Sequence, residues 1–259
     1  MQIVALLTDY GITDYYVAQL KGEIYTACPS VNIIDISHNV PPYNINAGAW
    51  MLKNTFRSFP ADTIFIALVA EQHFSYQRLL ACRYGGYYFL VPDNGIITMI
   101  LEHNAPEMMV AIDTHVISLP TNNGQLMRAL KEIVYSRNIT GIGNTITDYK
   151  KLIPQLPFIG NNNITGTVMF IDNFGNAVTN IHISEFNKFE YIELKIHYRR
   201  KEQISRLVKY YSQVHEGDDL ARFNDAGYLE ICMRGDNAAL RMGIKVTDTV
   251  VMEFLQAFS

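Results

Sequence analysis

The run Thr63-Ile-Phe-Ile-Ala-Leu-Val69 has no polar position after its first residue, and Ile3–Leu7 is wholly apolar. A strand without polar alternation has no face to offer water, so it belongs in a sheet covered on both sides. Stretches of helical spacing separate these runs: Tyr15–Cys28, with Val17, Leu20 and Ile24 along one side, and Asn46–Phe56. Further strands are predicted at Asn32–Ile36 and Tyr87–Val91, the latter followed by Gly95–His103. The first half therefore reads as an α/β domain, an α/β/α sandwich on a mostly parallel sheet.

Around Thr140–Asn163 the pattern breaks. Gly141, Gly143, Pro154, Pro157, Gly160 and the asparagines at 161–163 mark a connector. Beyond it come short, closely spaced strands: Thr165–Ile171, Ala177–Ile181, Tyr191–Tyr198, Asp219–Phe223, Gly227–Cys232 and Val246–Glu253. Such spacing predicts an all-β antiparallel barrel. The expected organisation is an N-terminal α/β/α domain over 1–150, a linker over 151–163 and a C-terminal β-barrel over 164–259.

Charged residues make up 18% and apolar ones 49%, a balance that excludes disorder. A net charge of −4 leaves no electrostatic footprint for nucleic acid or an anionic membrane. Cys28, Cys82 and Cys232 lie far apart, with neither metal-ligand spacing nor a disulfide framework, so no metal is expected and a reducing cytoplasm fits. The opening Met-Gln-Ile-Val-Ala-Leu-Leu reads as a buried strand, not a leader, and no run is long enough to span a membrane.

Two segments carry candidate chemistry. Asp172-Asn-Phe-Gly-Asn-Ala-Val-Thr-Asn-Ile-His182 follows an apolar strand and sets amides and a carboxylate around an aromatic ring. A ring stacks on a flat heterocycle and amides pair with its edge; a plain Asn-Gly-type hairpin turn would use the same residues. Thr8-Asp9-Tyr-Gly-Ile-Thr-Asp14 follows the first strand, at the sheet edge where ligands of open α/β folds bind. Its carboxylates suit a ribose diol and an amino group and would repel phosphate, although Asp14 would also serve as a helix N-cap. Asp9 at a buried strand end needs a partner. Tyr43, in Ser37-His-Asn-Val-Pro-Pro-Tyr43, would wall a pocket or simply pack a loop. Val91-Pro-Asp-Asn-Gly95 reads first as a turn.

These stretches, with Ala18-Gln-Leu-Lys-Gly22 and Asn224-Asp-Ala-Gly-Tyr-Leu-Glu-Ile231, occur in the order found in the S-adenosylmethionine (SAM) hydroxide adenosyltransferases, relatives of fluorinase and chlorinase. The chain resembles that family over nearly its whole length. The resemblance implies hydrolysis of SAM to adenosine and L-methionine by attack of water or hydroxide at ribose C5′, with no cofactor beyond SAM itself. It also implies a homotrimer with sites at subunit interfaces. Carried over by position, Asp9 would hold the ribose hydroxyls, Asp14 the methionine amino group, and Tyr43 would wall the ribose. Phe174 and Asn176 would meet the adenine, Asp172 would lie near the methionine end, and the backbone at Ala238 and Ala239 would complete the adenine pocket.

The resemblance breaks at the nucleophile. Family hydrolases carry an Asp and an Arg after the third strand and a later His, and here Ala70, Gln77 and Asn123 occupy those positions. Ala70 also replaces the tyrosine of the halogenases, which argues against halide chemistry. Glu71, His73 and Arg78 are the ionisable groups available as replacements. The alternative is a catalytically degenerate member that binds SAM or adenosine without turnover.

Overall fold

The computed structural model describes residues 1–70, 78–101, 104–113, 124–199, 202–204 and 206–255. The chain divides into two compact units, Met1–Ile153 and Pro154–Ser259.

The first unit runs β1 (Ile3–Thr8), α1 (Tyr16–Ala27), β2 (Asn32–Ser37), α2 (Ile45–Thr55), β3 (Ile64–Leu68), β4 (Arg78–Tyr84), β5 (Tyr87–Pro92), α3 (Ile96–Leu101), β6 (Met108–Asp113), α4 (Gly124–Ser136) and β7 (Asn144–Thr145). Its sheet has the order β2-β1-β3-β5-β4-β6-β7. β1 pairs in parallel with β2 and β3, and β3 in parallel with β5. β4 then pairs antiparallel with β5 and β6, and β6 with β7, so the sheet is only partly parallel. The sequence reading named no strand between Val69 and Tyr87. β4 is amphiphilic at its ends (Arg78, Arg83, Tyr84) and takes its place as the partner of a hairpin.

The apolar runs are covered on both faces, as their lack of alternation requires. On one side Val4, Leu6, Ile64, Ile66 and Leu90 pack with Leu20 and Ile24 of α1 and Ala129, Leu130 and Ile133 of α4. On the other, Phe65 stacks on Phe89 at 5.3 Å between ring centres, and Phe56 meets both rings edge-on. α2 starts at Asn44, whose Oδ1 accepts the N–H of Ala47 at 3.0 Å, an N-cap that satisfies an otherwise orphaned donor.

The second unit comprises β8 (Phe158–Ile159), β9 (Asn163–Ile171), β10 (Ala177–His182), α5 (Ile183–Phe186), β11 (Glu193–Arg199), β12 (Glu202–Ile204), β13 (Asp219–Phe223), β14 (Tyr228–Met233), α6 (Ala238–Met242) and β15 (Thr249–Leu255). The strand order is β12-β11-β15-β9-β10-β14-β13, antiparallel throughout, with β8 added on β9. A parallel bridge between Leu207 and Ala221 brings the chain after β12 back beside β13, which nearly closes a barrel. Its interior holds Ile164, Val168, Ile181, Ile196, Ile231, Met252 and Phe254. No helix among the described residues is long and apolar enough to cross a membrane.

Candidate functional site

β1 lies between β2 and β3, so the chain leaves it for one neighbour and later returns on its other side. The carboxyl end of β1 is therefore a topological switch point, where the loops on either side diverge and leave a crevice. Parallel registers set Thr8 beside Leu68 and Leu7 beside Ser37. The segments 9–14, 38–43 and 69–70 thus leave the sheet as neighbours.

Asp9 ties these segments together. Its Oδ2 accepts the N–H of Tyr43 at 2.8 Å and the N–H of Ala70 at 3.1 Å. Both donors sit in left-handed backbone, with φ of 64° at Tyr43 and 56° at Ala70. Residues other than glycine reach that region at a cost of about 1–3 kcal/mol each, and such strain persists where the surroundings over-determine it. Here two strained residues aim their amides at one carboxylate oxygen. Among the described residues nothing donates to the other oxygen, Oδ1, which leaves it as an acceptor for a diol. Tyr43 is 54% exposed. Asp14 is exposed and is not the N-cap of α1; that position is Tyr15, which makes no side-chain capping bond.

The turn after β5 supports this edge from beneath. Asn94 donates to the carbonyl of Val69 at 2.7 Å and accepts from the N–H of Ile96. That bond fixes the residue preceding Ala70. Asp93, 5% exposed, is the partner of Arg78: Nε and Nη2 both donate to its Oδ2, while Oδ1 accepts the N–H of Lys150 at 2.8 Å. Arg78 Nη2 also donates to the carbonyl of Asp148. Its guanidinium therefore neutralises a buried carboxylate of its own unit. Glu71, His73, Gln77 and Asn123 lie outside the described residues.

In the second unit the segment 172–176 forms a turn organised by Asp172. Its Oδ1 accepts the N–H groups of Phe174 and Asn176 at 2.9 and 2.8 Å. Its Oδ2 accepts Nδ2 of Asn176 at 2.8 Å. A carboxylate can only accept, so it holds the NH2 end of the Asn176 amide and leaves Oδ1 of that amide as the outward acceptor. Phe174, 76% exposed, stands at the lip of an open pocket of about 720 Å³ that Asp172 and Asn176 also line, within the size range of small-ligand sites.

The turn is seated on the start of α6. Gly175 has φ +84°, and a Cβ there would lie 2.1 Å from Cγ of Asn237. Asn237 caps α6 by accepting the N–H of Leu240 at 2.8 Å, and Ala239 donates its N–H to the carbonyl of Gly175 at 2.9 Å. Ala238 and Ala239 thus adjoin the turn that carries Phe174 and Asn176. Further along the same motif, Thr179 and Asn180 are buried and bond to the backbone of Leu229, Thr167 and Gln155. Those two residues hold the barrel together.

Tyr211, Arg222, Asn224 and Glu230 also line this pocket, and the sequence reading gave none of them a role. The signal was present: Glu230 alternates with core residues Leu229 and Ile231, so it faces away from the barrel interior, yet it is only 5% exposed. Glu230 accepts from the Tyr211 hydroxyl and from Nδ2 of Asn224, both at 3.3 Å, and Arg222 Nε lies 3.6 Å away. Burial pushes the Glu230 carboxyl above its ordinary value; Arg222, Cys232, Asn224 and Tyr211 oppose that shift without cancelling it. Arg222 Nε is itself buried and makes no hydrogen bond, so it faces Glu230 by charge proximity alone.

The first unit presents Asp9 Oδ1 and an exposed tyrosine. The second presents an exposed phenylalanine, an amide acceptor and an Arg–Glu pair.

The SAM hydroxide adenosyltransferase N-terminal domain matches residues 4–138, and the C-terminal domain of that name matches residues 166–251. The chain is 27% identical to a (R)-S-adenosyl-L-methionine hydrolase of Methanocaldococcus jannaschii, over 96% of this chain and 95% of that one. It is 28% identical to a fluorinase of Nocardia brasiliensis, over 72% of this chain and 73% of that one. Among solved structures it resembles an uncharacterized conserved protein from Thermotoga maritima, with a TM-score of 0.85 at 25% identity, covering 96% of this chain and 99% of that one.

Proposed function

Because the chain belongs to the SAM hydroxide adenosyltransferase family, we propose that it binds SAM and hydrolyses it to adenosine and L-methionine. The observation that carries this reading is the pair of strained backbone amides at Tyr43 and Ala70 converging on Asp9. A carboxylate held that rigidly, with one oxygen left over, is a preorganised acceptor for the ribose diol. Phe174 supports stacking on adenine, and the outward Oδ1 of Asn176 supports recognition of its exocyclic amine.

In the reaction, oxygen of water attacks C5′ of the ribose as the C5′–S bond breaks. The sulfonium takes the bonding pair and leaves as neutral methionine, while the water proton passes to a base or to solvent. The leaving group needs no acid, so orientation and desolvation supply much of the acceleration. Proton removal is the weak point: base assistance is worth roughly 100- to 10,000-fold, and the position at the end of β3 carries only the methyl group of Ala70. In this reading Glu71 or His73 supplies the base.

A second reading, a SAM- or adenosine-binding protein without turnover, is favoured by two observations. Ala70 has no ionisable group, and Arg78 is engaged with Asp93. Assembly as a homotrimer, with sites shared between neighbouring subunits, is part of the proposal. Exposed Leu156 and Phe158 in the second unit are apolar surface of the kind assembly would cover.

The deciding experiment incubates purified protein with SAM and follows adenosine and methionine by mass spectrometry, beside a Glu71→Gln/His73→Ala variant. Both products from the wild type and none from the variant establish a hydrolase with a rebuilt base. SAM that stays bound and intact establishes the binding protein. Sedimentation at site-saturating SAM measures the assembly; a monomer would remove the shared-site model.

A further inference from the structure

Asp9 is the middle residue of a small closed ring. The N–H of Tyr10 donates to Thr8 Oγ1 at 3.3 Å, a side-chain turn that encloses Asp9. Thr8 is fully buried, and its Oγ1 lies 2.9 Å from Nδ1 of His38, itself 6% exposed. On the far side of the ring, His38 Nε2 lies 3.1 Å from Asp35 Oδ1, within ion-pair distance though off hydrogen-bond alignment. Asp35 Oδ2 in turn is held by Lys21 Nζ at 2.6 Å. The backbone of His38 joins the same assembly, its carbonyl accepting the N–H of Gly11 at 2.8 Å.

We propose that His38 is a positioning residue for the nucleoside-binding edge: through Thr8 it fixes the turn that aims Asp9 at its ligand. This rests on the reading of Asp9 as a ligand contact. The surrounding groups favour one neutral tautomer of the imidazole. With the Thr8 proton directed at Nδ1 of His38 and Tyr10 donating to the same oxygen, the imidazole proton sits on Nε2, facing the Asp35 carboxylate. The opposite tautomer would point a lone pair at that carboxylate and leave the buried Thr8 hydroxyl proton without an acceptor. With Nδ1 bonded to Thr8 and Nε2 facing Asp35, no ring nitrogen is left to act as a base on a substrate. Its effect on the ligand therefore passes through geometry. Burial raises the Asp35 carboxyl, but Lys21 and His38 outweigh it and hold the group below its ordinary range, so an anion faces the Nε2 proton.

The decisive variants are Thr8→Val, which keeps the branched shape and removes both bonds, and Thr8→Ser, which restores the hydroxyl. His38→Asn is the matching change on the other partner. Hydrogen exchange of the Tyr43 and Ala70 amides reads the aim of Asp9 without any ligand. Adenosine titration reads its consequence for binding, and long-range nitrogen–proton correlation spectra report the tautomer.

The expected result for Thr8→Val is exchange of those two amides about tenfold faster, with β3 and β5 amides unchanged, and adenosine affinity about tenfold weaker, the scale of one lost hydrogen bond. Thr8→Ser should recover most of both. Wild-type protection and affinity in Thr8→Val would overturn the proposal, as would an Nδ1-protonated ring in the wild type. If the wild type binds neither adenosine nor SAM, the family-based reading fails on its own, and the exchange and tautomer results still decide the role of His38.

Discussion

At the scale of single residues, each unit presents an acceptor whose own partners are already fixed: Asp9 in the first and Asn176 in the second. Asn176 cannot rotate its amide without setting its oxygen against the Asp172 carboxylate. It therefore offers a ligand its oxygen as an acceptor, with one of the two amide N–H groups already committed to Asp172. Adenosine, with an amino group on the six-membered ring, should bind more tightly than inosine, whose carbonyl would face Asn176 Oδ1. An unpaired or opposed polar group costs about 1–3 kcal/mol, so competition titration should show a ratio of roughly 5- to 150-fold. Equal affinities would mean that this amide does not meet the ring. Arg78 makes a contrasting case. Removing one partner of a buried ion pair typically costs about 3–5 kcal/mol. Arg78→Gln should therefore lower the thermal midpoint sharply while the folded fraction keeps wild-type affinity for SAM. A stable variant that has lost only turnover would return Arg78 to the catalytic set.

At the scale of elements, the apolar strands and the two helices named from spacing are found within a residue or two, because burial on both faces leaves a continuous signature. All six strands predicted for the barrel are present, as alternation and turn residues specify them locally. β4 was not legible. Its strand character comes from pairing with β5 and β6, a non-local condition that Arg78-Leu-Leu-Ala-Cys-Arg-Tyr does not announce. The same limit applied to the site. Asp9, Tyr43, Phe174 and Asn176 stand in recognisable motifs, whereas the Tyr211–Arg222–Glu230 grouping is assembled from a 3₁₀ turn and two strands. The seating of the 172–176 turn on α6 can be tested directly. Gly175→Ala meets both a positive φ and the Asn237 side chain, so it should abolish nucleoside binding and destabilise the protein by more than about 1 kcal/mol. Asn237→Ala, which loses only the cap, should cost about 1 kcal/mol in a denaturant titration.

At the scale of the whole molecule, the pH dependence of stability carries a signature of the barrel pocket. The native carboxyl of Glu230 is raised above its ordinary 4.5, so the folded state binds this proton more tightly than the unfolded one. Its favourable contribution is fully present below the unfolded value and declines as pH rises through the raised native value. Asp35 has the opposite sign: its lowered carboxyl stabilises above the unfolded value and loses that effect as pH falls through the native one. Glu230→Gln should therefore match the wild type near about pH 4 and become relatively more stable toward about pH 8. Thermal melts across that range would show it, and a difference that does not change with pH would mean Glu230 is not desolvated as described. The thiols report on the same global state. All three cysteines are buried, and burial pushes Cys82 up to about 12, so alkylation at neutral pH should follow unfolding.

The left-handed backbone at Ala70 bears on what this sequence could become. Alanine is a poor occupant of that conformation, whereas aspartate and asparagine enter it several-fold more readily. The main chain at position 70 is thus better suited to an acid than to the residue it now carries, and the hydrogen bond to Asp9 maintains it regardless of side chain. An acid could be placed there without rebuilding the loop. Ala70→Asp is accordingly the shortest mutational route by which selection, or an engineer, could alter the reactivity of this site.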